Sequence, residues 1–525
     1  MMANKKYIFI FSVVLIFLII LFYNIFFSNR VNIEEFTTMD KLPQISPDYT
    51  DIVIPANIAP LNFLVRVKGK KYYVKIYSKN GETIEISNKK PKISIPIGRW
   101  KKMLSSNRGQ KIFYDIYVEN KKNQWKKYDT FSNQIANEDI DGFLAYRLIK
   151  PLYRHWHNIG IYQRNLQNYS ESVILHNRTL DQGCINCHTF YKNSPDDFII
   201  HMRAGPGTGM LLTQNEKTKK VDTRTPLNNS HAAYVSWHPN KKMLAFSINK
   251  VTQFFHAIGE NRDVIDHASD LFVYKIESNT VTTSPKIYGE ERLETYPHWS
   301  PDGLFLYFCS APKVIIEGSN PVDYKEIKYD LMRIGFDPET ETWGELETLL
   351  SAKETELSIT QPKISPDGRF LVFCMAKYGN FPVLHPTSDL YLMDLNSWEH
   401  TKLNINSSQS ESYHSWAANS RWIVFSSKRM DGLLARPHFS YVDKNGKAHK
   451  PFLLPQKDPE FYTTFFKTYN RPELIIDPVK AKTYNLTKAA YNIDEILKAK
   501  LDPDVAQFKP NLKSVEPAWK LGKTK

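Results

Sequence analysis

Two thiols separated by two residues, with an imidazole directly after the second, make up Cys184-Ile185-Asn186-Cys187-His188. Thiols at this spacing can add to the two vinyl groups of one porphyrin. The histidine that follows then reaches the iron as its proximal ligand, and C-x-x-C-H is the attachment signature of a c-type haem. With 4 Cys and 15 His in 525 residues, the pattern is expected by accident roughly 0.001 times per chain. Half of a zinc site and a redox dithiol are the rival chemistries. Zinc wants a second ligand pair nearby, and no second C-x-x-C exists in the chain. A thioredoxin-like dithiol wants a βαβ setting, which the flanking residues do not suggest. The expectation is one covalent haem c, held by Cys184 and Cys187, with His188 on the iron.

The sixth coordination position has several candidates. His201 and Met202 fall on the strand expected after the next turn, where alternation points them to opposite faces, so at most one of them faces a haem. Met210 follows the glycine-rich turn Gly205 to Gly209 and is a third candidate. His155 and His157, in Arg154-His155-Trp156-His157, are more distant ones, and an open site is another outcome. A Met ligand raises the potential, whereas an open site permits ligand chemistry. His231, His238, His298 and His414 sit where repeats meet their turns. They do not share one register, since His298 aligns with Ser236, Lys363 and Ser415, which argues against a dedicated histidine cluster.

These residues need a scaffold. A unit recurs through the carboxyl-terminal half: Ser236-Trp237-His238-Pro239-Asn240, His298-Trp299-Ser300-Pro301-Asp302-Gly303, Lys363-Ile364-Ser365-Pro366-Asp367-Gly368 and Ser415-Trp416-Ala417-Ala418-Asn419-Ser420, each followed by an apolar strand. Strand, polar turn and second strand read as a hairpin. A further strand opens with Asp270-Leu271, Asp330-Leu331 or Asp389-Leu390. Long repeats built only from short strands point to propeller blades. A fifth, altered copy follows the haem motif, with Phe190, then Ser194-Pro195-Asp196-Asp197, then Phe198 to Met202. The remaining cysteines, Cys309 and Cys374, hold equivalent positions in successive repeats, where Ser247 and Ser426 stand in two others. They read as small buried residues rather than as a disulfide.

The W-S-P-D-G hairpins resemble those of the TolB-like (PD40) β-propeller family. The resemblance covers roughly residues 184–455 and implies the fold, commonly six-bladed, while saying little about activity, because such propellers serve mostly as binding scaffolds. A haem motif where a blade begins departs from ordinary members of that family and from ordinary c-type cytochromes. Five copies are visible, and a sixth is expected to be degenerate or supplied by segments before Cys184 or after Pro451.

The other segments complete the expected organisation. Tyr7 to Phe27 is almost wholly apolar and uncharged, long enough to cross a bilayer. Lys5 and Lys6 precede it, placing the amino end in the cytoplasm. No A-x-A cleavage site follows, so residues 1–30 read as an uncleaved membrane anchor with the rest of the chain periplasmic or otherwise extracytoplasmic. Residues 31–45 read as a linker. Residues 46–135 read as a small β-sandwich-like domain, with Asn80-Gly81 as a hairpin turn. Residues 136–180 read as a helical connector, since Ile140, Phe143, Leu144 and Leu148 share a helical face. Residues 181–455 form the propeller, and 456–525 an irregular tail with a short helix near Ile493 to Leu501. The fold class is therefore mainly β. The net charge of +14 and pI near 9.2 suit an anionic membrane surface or an acidic redox partner, and the exported location argues against nucleic acid. No Ser/His/Asp constellation stands out, so electron transfer between protein partners is the expected role, with a scaffold whose haem is structural or sensory as the alternative.

Overall fold

In a computed structural model of the full chain, residues 33–151, 158–203, 208–228, 230–254, 263–313, 321–492 and 494–505 are described. The chain divides into two compact units, one of Met1–Ile52, Pro60–Ala136 and Pro455–Phe461, the other of Val53–Ala59, Asn137–Leu454 and Tyr462–Lys525.

The first unit is β-rich, as its alternation of apolar and polar residues predicts. Lys71–Ser78 pairs on one side with Ile84–Asn88, across the Asn80-Gly81 turn, and on the other with Lys111–Glu119. Two features correct the sequence reading. Phe36–Met39 lies in the stretch expected to be a linker, yet it pairs in parallel with Trp125–Tyr128. A helix, Ile97–Ser106, lies within the stretch expected to be β-sandwich-like. That helix buries Trp100, Met103 and Leu104 and leaves Arg99, Lys101 and Lys102 exposed.

The second unit carries six antiparallel blades, each built on four strands. Blade II is Ile185–Phe190, Phe198–Met202, Gly209–Gln214 and Lys217–Asp222, and blade III is Ala233–Trp237, Met243–Phe254, Asp263–Lys275 and Thr280–Thr282. Blade IV is Arg292–Trp299, Phe305–Pro312, Asp330–Asp337 and Thr342–Leu350, and blade V is Ser358–Ile364, Phe370–Ala376, Asp389–Asp394 and His400–Lys402. Blade VI is Glu411–Trp416, Trp422–Ser427, Arg436–Tyr441 and Phe452–Leu453. Blade I is a composite: Phe143–Ile149, Gly160–Asn165 and Glu171–His176 come from before the haem motif, and its inner strand, Thr468–Ile475, comes from near the carboxyl end. The six inner strands touch in sequence around a closed ring, with Thr468–Ile475 between those of blades VI and II. The fold is a β-propeller.

The sixth blade therefore arises from both segments expected to supply it. Other expectations fail here. Residues 136–180 hold strands, not a helical connector, because Phe143–Ile149 is buried on both faces; a doubly buried strand and a helix share the same apolar spacing. The tail from 456, expected to be irregular, supplies the inner strand of blade I, and the haem motif opens blade II. The helix expected near Ile493 to Leu501 lies upstream at Thr483–Tyr491. Leu497–Lys498 and Lys500–Leu501 are instead short strands that extend the outer edges of blades II and III.

Between blades the core is apolar and layered. Ile185, Phe190, Phe198, Ile200 and Met202 pack against Ala145, Ile161 and Ile475, while Ile199, Met210 and Leu212 on the other face of blade II pack with Val235, Leu244 and Phe246. Cys309 and Cys374 are buried free thiols. They stand opposite Thr295 and Thr360, and Ser247 and Ser426 occupy the same register opposite Ala233 and Ser412. Among the described residues no helix is long and apolar enough to cross a membrane; the anchor expected at residues 1–30 lies outside the described residues, apart from which the linker already begins.

Candidate functional site around Cys184, Cys187 and His188

Every inner strand whose partner is the next strand of its blade is kinked by one extra residue. The pairing register slips between Ala233 and Ser236, Thr295 and His298, Thr360 and Lys363, and Ser412 and Ser415. At these bulges Tyr234, Tyr296, Gln361 and Tyr413 adopt positive φ, as does Arg471 on the inner strand of blade I. Pro297, Pro362 and Pro472 follow directly, at positions where the ladder is already interrupted and a missing N–H costs little. In blade II the slip falls at Asn186, between Ile185 and Cys187. The bulge thus lies inside the C-x-x-C-H segment.

Cys184, Cys187 and His188 are all buried, at 7 %, 2 % and 2 % exposure, and both thiols are free. Neither nitrogen of the His188 ring has a hydrogen bond of normal geometry. Its polar neighbours are the Arg471 main chain and the Glu473 carboxylate, whose Oε2 lies 4.0 Å from Nε2. Burial, reinforced by the Arg471 and Arg147 guanidinium groups, pushes the His188 imidazole down to about 3, so it is neutral and able to donate a lone pair. Burial pushes the Cys184 thiol up, against the pull of Arg147 and Arg203. Arg147 is itself buried and anchors the bulge, donating through Nη1 to the Asn186 carbonyl and through Nη2 to Asn470 Oδ1 at 2.6 Å. Arg471 sits over the rings of Tyr234 and Tyr413, 5.6 and 5.8 Å from their centroids.

The strand also dictates directions. Cys187 pairs with His201, and its Sγ is 3.9 Å from His201 Nδ1. His188 pairs with Ile200 and meets Phe190 edge-on at 5.8 Å. Cys187 and His201 therefore face blade III, while His188 faces blade I. His201 lies with its ring 6.5 Å from that of His231 and has an unbonded Nε2, and burial holds its imidazole well below the usual range. Met202 packs in the core on the His188 side of the sheet, and Met210 packs on the other. His155 and His157 lie outside the described residues.

The donor set fits a haem c: two free thiols and a neutral imidazole with both nitrogens unbonded. The extended backbone does not present the set to one macrocycle. Thioethers sit at a porphyrin's edge and the imidazole under its centre, whereas adjacent strand residues point to opposite faces. Among the described residues no group of three His, Cys, Asp or Glu side chains is arranged as a metal-ion site. The remaining histidines singled out in the sequence have local partners. His238 Nε2 bonds the Gly303 carbonyl at 3.1 Å, His414 Nε2 bonds the Val372 carbonyl at 2.9 Å, and His231 Nδ1 is 3.6 Å from Asp222. The sequence missed Arg147, Arg471 and Glu473, which belong to strands that were read as helix and tail.

No family model matches the chain, and no curated protein is significantly similar. Solved structures similar to it include the Kuenenia stuttgartiensis hydrazine synthase, at 13 % identity and a TM-score of 0.30, covering 50 % of this chain and 64 % of that one. The chain thus spans less than two thirds of that protein's length. The β-propeller domain of the trilobed protease from Pyrococcus furiosus is similar at 12 % identity and a TM-score of 0.31, covering 75 % and 98 % of the two chains. The Dos1 propeller is similar at 14 % identity and a TM-score of 0.25, covering 43 % and 62 %. The blades and their closed ring carry the fold assignment on their own.

Proposed function

We propose that this protein is a membrane-anchored, extracytoplasmic monohaem c-type cytochrome in which a TolB-like propeller is the docking platform for redox partner proteins. The observation that carries the reading is the buried pair of free thiols beside an imidazole with two unbonded nitrogens, at the start of one inner strand. Cys184 and Cys187 would hold the haem by thioethers and His188 would be its proximal ligand. When bound, the group supplies a one-electron couple. Arg147 and Arg471, whose guanidinium groups act on His188, would place positive charge near a haem held there, which would favour its reduced state. The Glu473 carboxylate lies 4.0 Å from His188 Nε2. The W-S-P-D-G hairpins support the TolB-like part of the reading, and the apolar run from Tyr7 to Phe27 supports the anchor.

The test is a pyridine-haemochrome spectrum of membranes from cells that also express a haem-attachment system, followed by a redox titration. The reading expects a c-type spectrum and a reversible single-electron wave, with His188→Ala altering the spectrum. A protein free of haem, or one whose haem extracts into acidified solvent, would contradict it.

A further inference from the structure

One residue per blade lines the propeller's channel at a common level: Thr189, Ser236, His298, Lys363, Ser415 and Glu473. They share a register, opposite Ile199, Ala245, Tyr307, Val372, Val424 and Ala145. A bonding pattern runs around this ring. Ser236 Oγ accepts from the Trp299 N–H at 3.1 Å, Ser415 Oγ from the Leu474 N–H at 3.3 Å, and Glu473 Oε1 from the Phe190 N–H at 2.8 Å. His298 reaches the same following blade in the opposite sense, donating a ring N–H to the backbone of Ile364. Three of the six side chains, Ser236, Ser415 and Glu473, thus accept from the inner strand of the following blade.

Lys363 cannot join these three, because an ammonium cannot accept. Its main-chain carbonyl takes the indole N–H of Trp416 instead, at 3.0 Å, and its ammonium lines the channel cavity without an ion pair to any described carboxylate. Glu473, the acid that acts on it most, is occupied by Thr189 and Phe190. Arg471 adds a second cation to the lining against the one carboxylate of Glu473, so the charge there is positive by one. The cavity is about 400 Å³, and Trp237, Trp299, Trp416, Pro301 and Pro366 form its apolar walls. A cation without a partner inside apolar walls is the complement of an anion with an apolar body.

We infer that the channel cavity binds a small organic carboxylate, with Lys363 as the group that takes its charge. The site stands on this ring alone and does not depend on the haem reading. The test uses the full-length protein and two probes, benzoate and hexanoate, with benzamide as the neutral isostere. Binding is read by calorimetry and by quenching of tryptophan fluorescence. Saturable binding of a carboxylate probe is expected, roughly tenfold or more tighter than benzamide, the scale of one charge-assisted hydrogen bond. Lys363→Met should lose that margin and Lys363→Arg should keep it. Absence of saturable binding by either carboxylate overturns the inference, as does equal binding of benzoate and benzamide. The isostere comparison is made on the unmodified protein and decides the matter even if Lys363→Met does not fold. Unchanged benzoate affinity in a folded Lys363→Met protein also overturns it.

Discussion

Asp266, Asp270 and Glu294 act on one another at the boundary of blades III and IV, and burial pushes their carboxyl groups up to about 7, 7 and 8. In the unfolded chain such groups ionise near 4. Between about pH 4 and pH 8 the folded state therefore binds protons that the unfolded state releases, and the stability these groups contribute falls as pH rises through that window. Glu294→Gln and Asp266→Asn should raise the free energy of unfolding by about 1–3 kcal/mol at pH 8 and change it little at pH 5, measured by urea unfolding at the two pH values. An increment equal at both would contradict the assignment. His414 works the other way: burial holds it down to about 3, so its contribution is present above about pH 6.5 and is lost as pH falls below it. At the candidate site, Cys184→Ala and Cys187→Ala should each leave one thioether, and the double variant should lose all haem staining on a denaturing gel. Staining that survives the double variant would show a different attachment. The thiols and His188 were legible because their spacing is chemically specific. Lys363 was visible in the sequence only as a residue aligned with His298, since nothing in one strand says that its register faces a channel.

Among the strands, Ile185–Phe190 carries the sharpest conflict between conformation and chemistry. Its ladder pairs Cys187 with His201 and His188 with Ile200, and this turns thiol and imidazole apart. Haem attachment should open those pairs. Hydrogen exchange is therefore expected to speed up at 185–188 and 200–202 in the haem-loaded protein relative to the Cys184→Ala, Cys187→Ala double variant, and equal protection in both would contradict the geometry. Thr468–Ile475 closes the ring, and Ile475 is fully buried in the blade I–II core. Ile475→Ala should cost about 2–5 kcal/mol in thermal or urea unfolding, whereas a cost near zero would mean that this strand does not hold the closure. This strand escaped the sequence reading because Pro472 in its interior argues against a central strand; the proline is tolerated because it falls in the bulge. Phe143–Ile149 escaped for the opposite reason, being apolar on both faces like a helix. The four W-S-P-D-G-like hairpins were legible because turn chemistry and alternation agree in each.

For the molecule as a whole, two rings of residues line one channel cavity: the bulged ring of Tyr234, Tyr296, Gln361, Tyr413 and Arg471, and the polar ring that contains Lys363. Arg471 and Tyr413 also act on Cys187. In the proposed reading, the blades would set the surroundings of the covalent haem and supply the docking platform for its redox partners. The claim on which this account rests is covalent attachment at Cys184 and Cys187. The direct measurement is the intact mass of the protein produced with a haem-attachment system, with fragmentation of the peptide spanning 184–188. The account predicts a chain heavier by one haem, with the added mass on Cys184 and Cys187. An unmodified mass, or haem mass located on other residues, would contradict it.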